Sequence, residues 1–207
     1  PVSIIGVSPM FLFANPSLPV RNVKEFIALA RSQPGKLSIA SGGTGATTHL
    51  AAELLQTHSG IKLTHVPYKG AGPALTDVVA GQVPATFTSM ATAAPFAKAG
   101  RLRILRVTSA KRLAAFPDVP TFAESGVPAM VFEHWWGVMA PAGTPRPVIE
   151  KLYSEIVKAV SAPDVRERFA ALAVEPRTNT PEQFLALLES DLKRWAKVVR
   201  DAGIKPE

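Results

Sequence analysis

Ser41–Leu50, SGGTGATTHL, is the stretch of this chain richest in groups able to do chemistry. Gly42, Gly43 and Gly45 let the backbone bend and bring bare N–H groups close to a ligand. Thr44, Thr47 and Thr48 add hydroxyls, and Thr47 or Thr48 is placed to cap a helix. The apolar stretch 36–40 leads in with strand character, and 49–55 leads out at helical spacing. A strand, a glycine-rich turn and a helix start aim N–H groups and the positive end of the helix at one spot, which favours an anion. The segment is neither the GxGxxG fingerprint nor a P-loop, because no Gly-Lys-Ser/Thr follows. From this segment alone, a capped βα connection without a ligand reads equally well.

Two further loops follow strand-like runs: Tyr68-Lys69-Gly70-Ala71-Gly72 and Ser89-Met90-Ala91-Thr92. In open parallel sheets, ligands sit beyond the carboxyl ends of the strands. Three such loops would line one wall with hydroxyls, an aromatic ring, an ammonium and free N–H groups, which suits a small carboxylate. Lys69 reads as an anion partner or as a solvated surface lysine. His49 opens a helix, where the dipole disfavours imidazolium, and is read as a structural or ligand-contacting group rather than a general base. His58 and His65 read as surface residues. His134 has no HxxxH partner, so no metal is expected. Trp135 and Trp136 read as packing groups. Ser8, Ser41 and Ser89 lack a GxSxG elbow, and no constellation supports catalysis. No cofactor is expected.

The elements that must position these groups alternate. Strand character marks 2–7, 11–14, 36–40, 61–66, 83–88 and 102–108. Between them, Asn22 caps a helix with Val23, Phe26, Ile27 and Ala30 on one face, and helices follow at 48–58, 73–80 and 92–99. The alternation predicts an α/β fold with a mostly parallel, helix-covered sheet. From about residue 141 the pattern is nearly all helix. Thr144 is placed as an N-cap ahead of Pro145. Helices are expected over 145–161 and 163–173, and a last one opens on the capping box Thr180-Pro181-Glu182-Gln183. A single strand falls near 174–177. These amphipathic helices find little sheet in the chain to cover, so their partner sheet is expected mostly outside it. A helical appendage packed on the first region is the alternative.

Composition narrows the function classes. The 207 residues are 47% hydrophobic, enough for one large domain or two small lobes. No apolar run approaches the ~20 residues of a membrane span. The absence of cysteine excludes disulfides, thiolate metal sites and a Cys nucleophile. The +7 net charge is scattered and comes with no nucleic-acid-binding motif, so it implies solubility and some attraction for anions. The opening PVSIIGVSPMFLF reads as strand rather than signal peptide and lacks an initiating Met, which points to a processed chain or a part of something longer.

Several blocks stand in a telling order: GGTGATTHLAAELL at Gly42–Leu55, VPYKGxxPAxxDVVxGxV at Val66–Val83, AKAGRLRILRVTS at Ala97–Ser109, FPDVPTFAESG at Phe116–Gly126 and WWGVMAPAGTP at Trp135–Pro145. Together they resemble the Bug family, the extracytoplasmic solute receptors of tripartite tricarboxylate transporters, across essentially the whole chain. The resemblance implies a two-lobed fold of the type II periplasmic-binding-protein kind, periplasmic and non-enzymatic. Residues 11–130 would form the second lobe, with 1–10 and 131–207 supplying crossover strands and C-terminal helices of a discontinuous first lobe. Family members usually begin with about another third of chain, carrying a signal peptide and a further ligand loop. The implied ligand is a small organic acid or amino acid, and the implied partners are the transporter's membrane subunits, not nucleic acid. Gly43, Thr44, Gly45, Ala46, Thr47 and His49 would hold its carboxylate, while Tyr68, Lys69, Gly70 and Ser89 would meet its distal part. Pro84 departs from the family, which usually has an acid after the GxV at 81–83. The alternative reading is the effector-binding domain of a LysR-type transcription regulator. The chain by itself is expected to self-associate through its uncovered helices, or to hold a firm second lobe with a loose C-terminal region.

Overall fold

A computed structural model describes residues 1–204. The described residues divide into two compact units, one of residues 9–132 with 197–204, the other of residues 1–8 with 133–196. One strand, β1 (Ser3–Ala14), contributes to both. It was expected as two strands; instead it continues through Pro9, and its pairing partners change there. Before Pro9 it pairs with β6 (Glu133–Val138) and β7 (Glu175–Pro176), after it with β4 (Ala85–Ser89) and β5 (Arg103–Val107). A proline cannot donate to a ladder, so it belongs where pairing is interrupted.

In the first unit the sheet order is β3-β2-β4-β1-β5, with β2 at Ser38–Ser41 and β3 at Thr64–Pro67. β2 runs parallel to β3 and β4, whereas β1 runs antiparallel to both β4 and β5. The sheet is therefore mostly parallel, as expected, with one reversed strand inside it. That strand, MFLFA over Met10–Ala14, is an unbroken apolar run buried on both faces. Helices α1 (Val23–Ser32), α2 (Thr47–Ser59), α3 (Ala71–Val79) and α4 (Met90–Lys98) connect the strands. The core around them includes Phe11, Phe13, Phe26, Ile39, Leu55, Phe87, Leu105 and Phe122, all fully buried. α1 starts as its sequence requires: the Asn22 side chain accepts the Glu25 N–H at 3.0 Å, and the Glu25 carboxylate accepts the Arg21 N–H at 2.7 Å. Pro84 presents its carbonyl to the Asn15 N–H at 2.8 Å.

In the second unit, β1 up to Ser8, β6 and β7 stand with α5 (Arg146–Ser161), α6 (Pro163–Ala171) and the body of α7 (Pro181–Asp201). The capping box forms: the Gln183 N–H donates to Thr180 Oγ1 at 3.2 Å and the Thr180 N–H to Gln183 Oε1 at 3.0 Å. Thr144 does not cap α5. Pro145 holds that position, and the Thr144 hydroxyl donates to the Pro141 carbonyl instead. Ile4, Val7 and Phe184 form the buried centre, with Trp135, Leu187 and Leu188 against it. Trp135 meets Phe184 edge-on at 5.1 Å and donates its indole N–H to Asp191 at 2.7 Å, so it is a packing group as read from the sequence. Of α5, only Val160 is buried.

Candidate functional site: a loop of open amides at the sheet edge

Because β2, β3 and β4 are parallel, their carboxyl ends and the starts of α2, α3 and α4 fall on one edge of the sheet. The loop after β2 and the loop after β3 are sewn together. The Tyr68 N–H donates to the Ser41 carbonyl and the Gly70 N–H to the Gly42 carbonyl, each at 3.0 Å. Gly43, at φ +133°, passes the Tyr68 carbonyl so closely that a Cβ would lie 3.2 Å from it. Part of the glycine content thus serves loop-on-loop packing.

Most of the loop's own donors are spent on its shape. The Gly42 N–H donates to Thr48 Oγ1 at 2.8 Å, Gly43 to Ser41 Oγ at 3.1 Å, Gly45 to His49 Nδ1 at 3.1 Å and Ala46 to the Gly43 carbonyl at 3.1 Å. The expected cap of α2 is thereby corrected. Ala46 occupies the N-cap position with no side-chain bond, and Thr48 reaches back to Gly42 instead. Left without a protein acceptor are the N–H groups of Thr44, Thr47, Thr48 and His49. Orphan donors of this kind mark every helix start. Here they share one turn with Thr44, next to Gly45, whose φ of +76° is a left-handed conformation open to space on its Cβ side. Four donors around a helix N-terminus match an anionic group in charge and geometry.

Behind the loop lie two histidines. His49 is buried and His65, on β3, is half-buried. Their rings stack 3.6 Å apart at 4°. His65 Nε2 lies 2.6 Å from Ser41 Oγ, so His65 is not the surface residue the sequence suggested. The register explains the meeting: Ile39 pairs with His65, and Ser41, two residues on, shares the same sheet face. Burial, and then the neighbouring His49, push the His65 pKa down to about 4. Glu53, one turn along α2, sits 3.4 Å from His49 Nε2 and also accepts from Gln56 Nε2 at 2.7 Å.

The remaining candidates flank this turn. The Tyr68 hydroxyl donates to Asp77 at 2.7 Å, and that bond, with burial and the Asp77 charge, raises its pKa. Lys69 is exposed, and Gly70 precedes α3 as its N-cap. Ser89 precedes α4, its hydroxyl 3.2 Å from Thr92 Oγ1. His58 is exposed, as expected. His134 packs edge-on against Trp136 at 4.6 Å, and its burial lowers its pKa. Among the described residues no helix is long and apolar enough to cross a membrane.

Residues 1–204 match the family model described as tripartite tricarboxylate transporter family receptor. The protein BugT of Bordetella pertussis is 38% identical over 205 residues, which is 99% of this chain and 63% of BugT. A solved structure of an R. palustris protein with adipate superposes with a TM-score of 0.93 at 35% identity, covering 100% of this chain and 69% of that one. A second, MatC of Rhodopseudomonas palustris with bound malate, gives a TM-score of 0.87 at 31% identity over 96% of this chain and 69% of that one. The chain therefore spans less than two thirds of the length of its curated relative BugT. The transcription-regulator reading finds no support in these comparisons.

Proposed function

The chain belongs to the tripartite tricarboxylate transporter receptor family, and from that premise we propose that it is a periplasmic receptor part. In this reading it takes a small carboxylate-bearing solute at the loop Ser41–His49 and serves delivery to the membrane subunits of such a transporter. The observation that carries the reading is the set of N–H groups of Thr44, Thr47, Thr48 and His49, open at a helix N-terminus while those of Gly42, Gly43, Gly45 and Ala46 are internally bonded. A carboxylate accepting two or three backbone N–H bonds is a strong, charge-assisted arrangement. Family membership, and the adipate and malate in two similar structures, support a dicarboxylate. The unit of residues 9–132 is read as the second lobe of the receptor and the other unit as part of the first. Gly43, Thr44, Gly45, Ala46, Thr47 and His49 shape or supply the carboxylate contact. Tyr68, Lys69, Gly70 and Ser89 stand where the distal part of the ligand would lie.

Titration calorimetry of the full-length protein against adipate, malate, aromatic acids and amino acids tests this. Saturable binding of at least one carboxylate is expected. Heat with none of them, or equal binding of the corresponding methyl esters, would show that the open amides do not serve a carboxylate.

A further inference from the structure

We propose that His49 and His65 are positioning residues of the ligand loop: as a stacked neutral pair they hold Ser41–Thr47 in the turn that keeps the Thr44, Thr47, Thr48 and His49 amides open. The inference rests on the reading of that loop as the carboxylate site. Each ring grips the turn at a different point. His49 Nδ1 accepts the Gly45 N–H directly. His65 Nε2 bonds Ser41 Oγ, and that oxygen accepts the Gly43 N–H. Thr44 lies between the two grips. The rings brace each other by stacking at 3.6 Å, nearly parallel.

The chemistry requires neutrality. An amide N–H can only donate, so His49 Nδ1 carries no proton and its hydrogen sits on Nε2, facing Glu53 at 3.4 Å. A proton on Nδ1 would set two hydrogens against each other and release Gly45. A charge on His65 would face the other ring at stacking distance in a partly desolvated place. The charges facing the pair are few. α2 offers Glu53 to His49, and its other ionisable group, His58, is exposed near the far end of the helix. α3 carries only Asp77, which is bonded to the Tyr68 hydroxyl. β2 (SIAS), β4 (ATFTS) and the short turn Pro128–Met130 that packs on α2 have no ionisable side chain. The pKa of about 4 at His65 agrees with a ring that stays uncharged until strongly acidic pH.

The test compares substitutions that keep the hydrogen-bonding group with ones that keep only the ring. Asn at 49 offers an oxygen near the place of Nδ1, and Gln at 65 an amide near Nε2 that can donate to or accept from Ser41 Oγ. Phe at either site preserves volume and stacking but accepts nothing. Two readouts are needed in the full-length protein: hydrogen exchange of the Gly45 amide without ligand, and the dissociation constant for adipate and malate. In the native protein the Gly45 amide is expected to be protected from exchange near neutral pH. His49→Phe and His65→Phe should speed its exchange and weaken carboxylate binding, each by about tenfold or more, the scale of one lost hydrogen bond. His49→Asn and His65→Gln should stay within about threefold of the native protein. A folded His49→Phe with native exchange and native affinity would overturn the proposal, as would a freely exchanging Gly45 amide in the native protein. If the Phe variants do not fold, the Asn variant and the protection of Gly45 in the native protein decide. A protected Gly45 in a protein that binds no carboxylate would sink the carboxylate reading and leave the grip on the loop standing.

Discussion

Thr47 is the residue at which the proposed chemistry can be removed most cleanly. It is the first helical position of α2, and Ala46 before it has φ −62° and ψ 154°. That backbone suits the residue preceding a proline, and proline is well tolerated at a helix's first position. Thr47→Pro therefore deletes one open N–H and one hydroxyl with little strain. Carboxylate affinity should fall by about ten- to hundredfold, the size of a charge-assisted bond, with the melting temperature nearly unchanged. Unaltered affinity by calorimetry would remove Thr47 from the donor set. His65 makes a second, pH-dependent prediction. Its folded pKa is about 4, below the ordinary value near 6.5. As pH falls through that interval the unfolded chain gains a proton that the folded chain refuses. Stability is thus complete above about 6.5 and is lost progressively down to about 4. His65→Gln should flatten that slope in urea titrations run at a series of pH values. Equal slopes for both proteins would contradict the assignment.

At the scale of elements, each loop of the site answers to the helix that follows it. The loop after β2 is locked by bonds to Thr48 and His49 of α2, whereas the loop after β3 exposes Lys69 beside Gly70. Lys69→Ala should change the ranking of dicarboxylates without abolishing binding, as expected of a cation meeting the distal end of the ligand. An identical ranking would place that ammonium in solvent. In the other unit, β6 and α7 touch through Gly137. A Cβ there would fall on the Phe184 ring and 3.3 Å from the Ser3 carbonyl. Gly137→Ala should cost about 1–3 kcal/mol through overpacking, visible as a lowered denaturation midpoint. A neutral effect would mean that α7 can slide away from β6 freely.

For the molecule as a whole, apolar exposure and net charge oppose each other. On α5, Val148 and Leu152 are exposed, and on α7 so are Leu185 and Leu192, the last at 69%. Exposed apolar patches of a few hundred Å² mark association surfaces, at ~25 cal/mol per Å² removed from water. The +7 charge resists association at low ionic strength and is screened by salt. Residues 1–207 produced alone are therefore expected to self-associate, more so as salt is raised, and Leu152→Lys with Leu192→Lys should return them to monomer. Light scattering over a concentration series reads this out. A monomer at every salt concentration would show that these side chains do not form a sticky surface.

What the sequence by itself determined was local. The Asn22 cap, the Thr180 capping box, the alternation of strands and helices and the glycine-rich turn at 41–48 all depend on neighbours a few residues away, and each stands in the structure as read. The ordered blocks from Gly42 to Pro145 also carried the family. Other features were decided only when distant segments met. Thr48 looked like a cap for its own helix, but the turn folds back and offers it the Gly42 N–H instead. Two expected strands became one when pairing partners arrived on both sides of Pro9. Above all, Ser41 and His65 lie 24 residues apart and meet because of the parallel β2–β3 register, which no local spacing encodes. A helix or a cap is favoured by contacts within one turn of chain. A register between strands joined through a helix is settled by burying a whole sheet face at once, so the groups that brace the loop stay hidden until the sheet is built.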